Sequence, residues 1–167
     1  MHDTTGIANM NMIEPAQPQD GPAIREVNIS VGVFTAPEIR CVDELWDDYV
    51  QRGDQADYHF LVYREHGTIL GYACYGDHAL TEGTWDLYWI AVSPAAHGRG
   101  IGHALLASTE AGIAKRGGYL VLVETSTTPA YAPARRLYQS AGYTLRATIP
   151  DFYARGDGLA LYSKHLS

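Results

Sequence analysis

The stretch "WIAVSPAAHGRGIGHALL", residues 89–106, constrains this chain more than any other. An apolar, strand-like run, "TWDLYWIAV" (84–92), passes through Ser93-Pro94 into glycines at 98, 100 and 102. Helical spacing then continues from about Ile101 to Arg116, and an apolar strand "YLVLVET" (119–125) follows. Glycine lacks a Cβ, so Gly98, Gly100 and Gly102 let the backbone adopt unusual φ values and come close to a ligand. The helix beginning near Ile101 turns its free N–H groups and positive dipole end toward that loop. A pyrophosphate fits such a site, with Arg99 and His97 as charge-assisted contacts. From the glycines alone, a turn that merely lets the helix pack tightly remains an equal alternative.

The rest of the chain surrounds that unit with further strands and helices. Residues 1–22, polar, Pro-containing and without periodicity, read as a flexible N-terminal tail ahead of a single domain over 23–167. The β-branched run "IREVNISVGVF" (24–34) predicts a first strand. Thr35-Ala36-Pro37-Glu38 fits a capping box, and Ile39, Val42, Leu45, Trp46 and Tyr49 then recur at helical spacing. "YHFLVYR" (58–64) and "TILGYACYG" (68–76) flank Glu65-His66-Gly67 as a β-hairpin. Along 84–92, strict alternation puts Trp85, Leu87, Trp89 and Ala91 on one face and Asp86, Tyr88, Ile90 and Val92 on the other. A short helix with Pro133 in its first turn and Gly142 at its C-cap precedes the strands "YTLRATI" and "GLALYSKHL". The expected class is α/β (α+β), a mixed central sheet of about seven strands with flanking helices.

Charge and composition narrow the function. Nineteen Asp and Glu against twelve Lys and Arg give a net charge of -7, so no basic stripe exists to neutralise a nucleic acid. An acidic surface suits a cationic, amine-bearing substrate. No run approaches the roughly 18 apolar residues of a membrane span, and no basic start with an apolar core marks a signal peptide; the expectation is a cytoplasmic protein away from membranes. Cys41 and Cys74 have no metal-type spacing and read as reduced, buried thiols. Seven histidines likewise show no ligand spacing, so no metal is expected.

A P-loop is excluded because no Lys-Ser/Thr pair ends the glycine loop. A dinucleotide fold, with Glu124 as its ribose-binding acid, lacks the third glycine: His103 and Leu105 stand there. Too few residues follow Glu124 for its remaining strands. "VSPAAHGRGIGHALL" instead resembles the acetyl-CoA pyrophosphate motif of the GNAT-type N-acetyltransferases, Gln/Arg-x-x-Gly-x-Gly/Ala, with His97 in the first place and Gly98, Arg99, Gly100, Ile101 and Gly102 after it. "APARRLYQSAGY" (132–143) resembles the family's Ala-x-x-Leu/Phe-Tyr-x-x-x-Gly-Phe/Tyr block, and "FYARGDGLALYSKHL" its final hairpin. Tyr131 stands where many members carry an Asn.

The resemblance implies an acetyltransferase that moves an acetyl group from acetyl-CoA to a primary amine in a ternary complex. It also implies that the fourth and fifth strands splay, the backbone of Ile90, Ala91 and Val92 pairing with the pantetheine arm. Glu124, Thr125 and Ser126 would then border the acceptor, with Glu124 gripping a cation. Asp86 matches a general-base glutamate of some members, and a carboxylate on an otherwise apolar strand is costly to bury without a purpose. Being one carbon shorter, it would act through an ordered water. Tyr138 lies on an inward stripe with Ala134, Leu137 and Ala141, and matches the tyrosine that returns a proton to the leaving thiolate. No cysteine is placed to carry an acyl-enzyme. Asp151, Tyr153 and Asp157 read as an acidic surface loop. A non-catalytic acyl-CoA-binding regulatory module is the alternative, and such proteins commonly form homodimers.

Overall fold

The structure, a computed structural model, describes residues 12–167. The chain order is β1 (Met12–Pro15), α1 (Gly21–Val31), α2 (Ala36–Arg52), β2 (Tyr58–Glu65), β3 (Thr68–Asp77), β4 (Thr84–Val92), α3 (Ile101–Lys115), β5 (Leu120–Ser126), α4 (Ala132–Ser140), β6 (Thr144–Ala154) and β7 (Asp157–His165). The seven strands form one sheet in the order β1-β2-β3-β4-β5-β7-β6. Every neighbouring pair is antiparallel except β4 and β5, which run parallel because α3 carries the chain back between them.

That parallel pair is short. Its register holds only at Thr84↔Leu120, Trp85↔Val121 and Asp86↔Leu122. Beyond these residues the two strands continue without pairing, so the sheet opens between 87–92 and 123–126, the splay expected for β4 and β5.

A layer of core lies on each face. On one, Leu105, Leu106 and Ile113 of α3 and Tyr138 of α4 pack with Trp85, Leu87, Val121 and Val123. On the other, Ile24 and Val27 of α1 and Val42 of α2 pack with Phe60, Tyr72 and Cys74, and Leu45, Trp46 and Tyr49 close around them. The Tyr72 hydroxyl donates to Asn28 Oδ1 at 2.7 Å, which satisfies a fully buried tyrosine on the helical side.

Much of the local reading is realised. The Thr35–Glu38 capping box starts α2. The β2–β3 turn is a two-residue one, with His66 at φ 47 and Gly67 at φ 80, the left-handed pair that matches strand twist. Gly142, at φ 90, follows α4 in the left-handed conformation.

Three expectations are corrected. The segment 24–34 is helix α1 over Gly21–Val31, terminated by Gly32 at φ 74. Its β-branched residues favour a strand, but Ile24, Val27 and Asn28 are buried at three- and four-residue spacing, and packing overrides propensity. The expected tail, residues 1–22, is ordered from Met12: β1 pairs with β2, a single 3-10 turn spans Pro18–Asp20, and Arg64 holds both Glu14 and Asp20. Residues 1–11 lie outside the described residues. Finally, Cys74 is buried but Cys41 is exposed on α2.

The alternation along β4 also changes. Cys74 opposes Trp89 and Tyr75 opposes Leu87, which leaves Tyr88 as the extra residue of a β-bulge. Trp85 and Leu87 therefore join the α3–α4 layer, while beyond the bulge Trp89 and Ala91 join the α1–α2 layer and Ile90 and Val92 pack toward α3.

Candidate active site

The glycine loop leaves β4 through Ser93, makes a 3-10 turn at Pro94–Ala96 and enters α3 at Ile101. Gly98 and Gly100 adopt φ 75 and φ 76, and a Cβ on either would meet nothing within 4 Å. Backbone conformation demands glycine there, and the space above the loop stays open for a ligand. Gly102 differs. A Cβ there would come within 3.3 Å of Leu137 Cδ2, so this glycine lets α3 pass close to α4. The glycines thus differ in purpose: backbone conformation requires Gly98 and Gly100, and helix packing requires Gly102.

No side chain caps α3 at Gly100. Its first-turn N–H groups keep their donor capacity and their partial positive charge beside the loop. The two side chains expected near phosphate are engaged elsewhere in this structure. His97 Nε2 donates to the Val92 carbonyl at 2.8 Å, tying the loop to the strand end, and Arg99 is paired with Glu65 of the β2–β3 hairpin. Ile101 is buried under the loop. Ile90, Ala91 and Val92 line the open edge of β4 with no partner strand on the β5 side.

Tyr138 stands on the α4 side of the opening. It is 5% exposed, with its ring about 6.0 Å from those of Tyr143 and Tyr162. Burial pushes its phenol well above the usual tyrosine range, so the hydroxyl stays protonated at neutral pH.

Asp86 alternates with Trp85 and Leu87 and so projects from the opposite face, at the last paired position before the splay. Its side chain is 18% exposed, and His78 Nδ1 lies 2.6 Å from Oδ2. Since a carboxylate only accepts, Nδ1–H donates. Tyr88, the bulge residue, is near enough to feel the same carboxylate. Burial first, then the Asp86 charge, raises the Tyr88 phenol.

Of the three residues expected to border an acceptor, only Glu124 is exposed. Thr125 is buried, and Ser126 is consumed by the turn after β5. Its hydroxyl donates to Asp157 and accepts from the Thr128 N–H at 3.0 Å, and its carbonyl accepts from Arg135 at 2.6 Å. Tyr153, on the β6–β7 hairpin, reports what surrounds Glu124. Its phenol is pushed up to about 12 by burial and then by the charges of Glu124, Asp157 and Glu38. Asp151 accepts from the Gly156 N–H and closes the hairpin.

Other residues gather here that sequence reasoning did not connect. Glu38 accepts from the Tyr131 hydroxyl at 3.1 Å. Phe34, between α1 and α2, packs edge-on against Trp89 at 5.3 Å and lies 6.5 Å from Tyr131. Glu38 was legible as a cap. Nothing local signalled that its carboxylate would meet the residue standing in the place of the family's Asn. Among the described residues no group of three or more His, Cys, Asp or Glu side chains could hold a metal ion, and no helix is long and apolar enough to cross a membrane.

Comparison with known proteins agrees with this geometry. The family model of the acetyltransferase (GNAT) family matches residues 27–143. A GNAT-family protein from Desulfovibrio desulfuricans is 39% identical, with a TM-score of 0.90 over 93% of this chain and 99% of its own. The ribosomal-protein-S18-alanine N-acetyltransferase of Escherichia coli superposes with a TM-score of 0.76 at 20% identity, covering 95% of each chain. YncA of Salmonella typhimurium, solved with acetyl-CoA, gives 0.74 at 24% identity over 94% of each. No curated protein matches the chain in sequence. With its sheet, its opened parallel pair and its glycine loop in place, the chain belongs to the GNAT family and is an acyltransferase.

Proposed function

We propose that this enzyme transfers an acetyl group from acetyl-CoA directly to a primary amine of a cationic acceptor. The observation that carries the reading is the end of β4–β5 pairing at Asp86↔Leu122, with an uncapped helix N-terminus at the far end of the same strand. Acetyl-CoA supplies an acetyl group activated as a thioester. The backbone N–H groups of the loop from Gly98 to Gly102 bind its pyrophosphate, and the free edge of Ile90, Ala91 and Val92 orients its pantetheine arm.

An alkylammonium has a pKa near ~10.4, so the acceptor must lose a proton before its nitrogen can attack. Asp86 takes that proton, directly or through one water, from the face opposite Tyr138. Tyr138, kept protonated by burial, donates its hydroxyl proton to the departing sulfur. Glu124 with Glu38 and Asp157 supplies a negative field for a cationic acceptor. A cytoplasmic location is a further element of this reading, supported by the net charge of -7 and the ordinary balance of apolar and charged residues.

Thermal unfolding with and without acetyl-CoA, using NADH as control, tests the proposal. Acetyl-CoA at 100 times its Kd stabilises the fold by about 2.7 kcal/mol, an easily measured rise in Tm, and NADH gives none. Thiol release in the presence of amines then follows. Absence of any Tm rise with acetyl-CoA would sink the reading. Binding without turnover on any amine would leave a regulatory acyl-CoA module.

A further inference from the structure

We propose that His78 is a positioning residue for Asp86, so that the base of this enzyme is a carboxylate–imidazole pair. The inference rests on the reading of Asp86 as the base. One donor reaches that carboxylate from outside its own strand: Nδ1 of His78, from the β3–β4 loop, at 2.6 Å from Oδ2. The carboxylate is largely covered, whereas the imidazole is 44% exposed and closes its outer side.

The loop does not need this contact to hold its shape. The His78 N–H donates to the Thr84 carbonyl at 2.9 Å, and the Thr81 hydroxyl donates to the His78 carbonyl at 2.8 Å. The Gly83 carbonyl accepts from the N–H groups of both Tyr119 and Leu120, which fastens the loop to the start of β5. A Cβ at Gly83 would strike the Tyr119 ring at 2.3 Å, so the loop lies tightly against that neighbour. A loop already fixed by its backbone presents His78 at a set position, and what the imidazole adds is one orientation of Asp86.

An aspartate at a splayed strand has few atoms with which to choose a rotamer. With Oδ2 held by Nδ1–H, the carboxylate keeps acceptor capacity for the amine. When the acceptor reacts, its N–H bond breaks, an O–H bond forms on Asp86, and the nitrogen keeps the electron pair with which it attacks. His78 retains its Nδ1 proton throughout. A misplacement of the base by about 1 Å is enough to cost on the order of 100-fold in rate.

The test uses His78→Ala, His78→Asn, Asp86→Asn and Asp86→Ala in the full chain. Turnover is followed as thiol release from acetyl-CoA with an amine accepted by the wild type among spermine, kanamycin and an alanine-terminated peptide. His78→Ala is expected to lower kcat by roughly 10- to 100-fold, with the KM for acetyl-CoA unchanged. His78→Asn, whose amide N–H can stand where Nδ1–H stands, is expected to restore kcat to within about threefold of wild type. Imidazole nitrogen NMR gives a readout that needs no amine: neutral His78 is the Nδ1–H tautomer in the wild type and loses that preference in Asp86→Ala, which offers Nδ1–H no acceptor. Wild-type kcat in His78→Ala, or an identical tautomer in both proteins, overturns the proposal. If Asp86→Asn is slow while His78→Ala is not, only this inference falls. If Asp86→Asn keeps full activity, the reading of Asp86 as base falls with it.

Discussion

The two ends of the opened sheet are built by different physics. At the loop between β4 and α3, the binding groups of the proposed site are backbone N–H donors, and what selects the sequence is conformation: Gly98 and Gly100 at positive φ with empty space above them. At the proposed acceptor end, side chains arrive from five places: Phe34 before α2, Glu38 in it, Trp89 in β4, Glu124 in β5 and Tyr153 on the last hairpin. A site made of backbone leaves a compact motif in the sequence. A site made of side chains from distant segments leaves scattered residues that any surface could carry. The first is shared by proteins that use one nucleotide handle; the second is free to differ with every acceptor.

The largest effect that could break this division lies between the two ends, at the chemistry. Asp86→Asn is expected to reduce kcat by about 10²–10⁴-fold while acetyl-CoA binding, measured calorimetrically, stays as in the wild type. Altered acetyl-CoA affinity would mean that Asp86 belongs to the loop end after all. Tyr138→Phe should follow at roughly 100-fold in kcat, the low end of what general acids contribute. Because burial raises the Tyr138 phenol, its ionisation cannot limit kcat until the pH passes the ordinary tyrosine value near ~10. The sign for stability is the same. The neutral phenols of Tyr138 and Tyr72 favour the fold below about pH 10, and that contribution is lost as pH rises toward their raised folded values, visible as alkaline unfolding.

A sharper division comes from two glycines of one motif. Gly100→Ala forces a left-handed alanine, at about 1–2 kcal/mol, and should weaken acetyl-CoA binding by about tenfold with little change in kcat. Gly102→Ala should instead press on Leu137 and lower Tm, with acetyl-CoA affinity less affected. Equal losses of affinity in both would show that the loop acts as one unit. The smallest effect is at the acceptor end. Glu124→Gln removes one of the charges holding the Tyr153 phenol at about 12, so phenolate absorbance should develop at lower pH. The KM for a cationic amine should rise a few-fold while the KM for acetyl-CoA stays.

The order of elements from α2 onward, the capping box, the tight hairpin and the C-cap glycine were legible because each rests on contacts within a few residues. Segment 24–34 was misread because valine and isoleucine suit strands locally, whereas the helical spacing of Ile24, Val27 and Asn28 acquires meaning only against Phe60 and Tyr72. The faces of β4 were assigned by simple alternation. Tyr88 breaks that alternation because a bulge depends on the register of the partner strand, which β4 alone does not contain. His78 looked like any loop histidine until the hairpin geometry brought it to 2.6 Å from Asp86.

By itself, then, the sequence determined the glycine loop ahead of α3 and the kind of enzyme built around it, since backbone conformation at glycine and helix N–H groups are local properties. Only the tertiary structure decided where β4 and β5 part, which way Asp86 points, and which acids and aromatic rings meet near Tyr131 and Tyr153. Those follow from register and from packing between segments far apart in the chain, and no stretch of sequence holds both sides of such a contact.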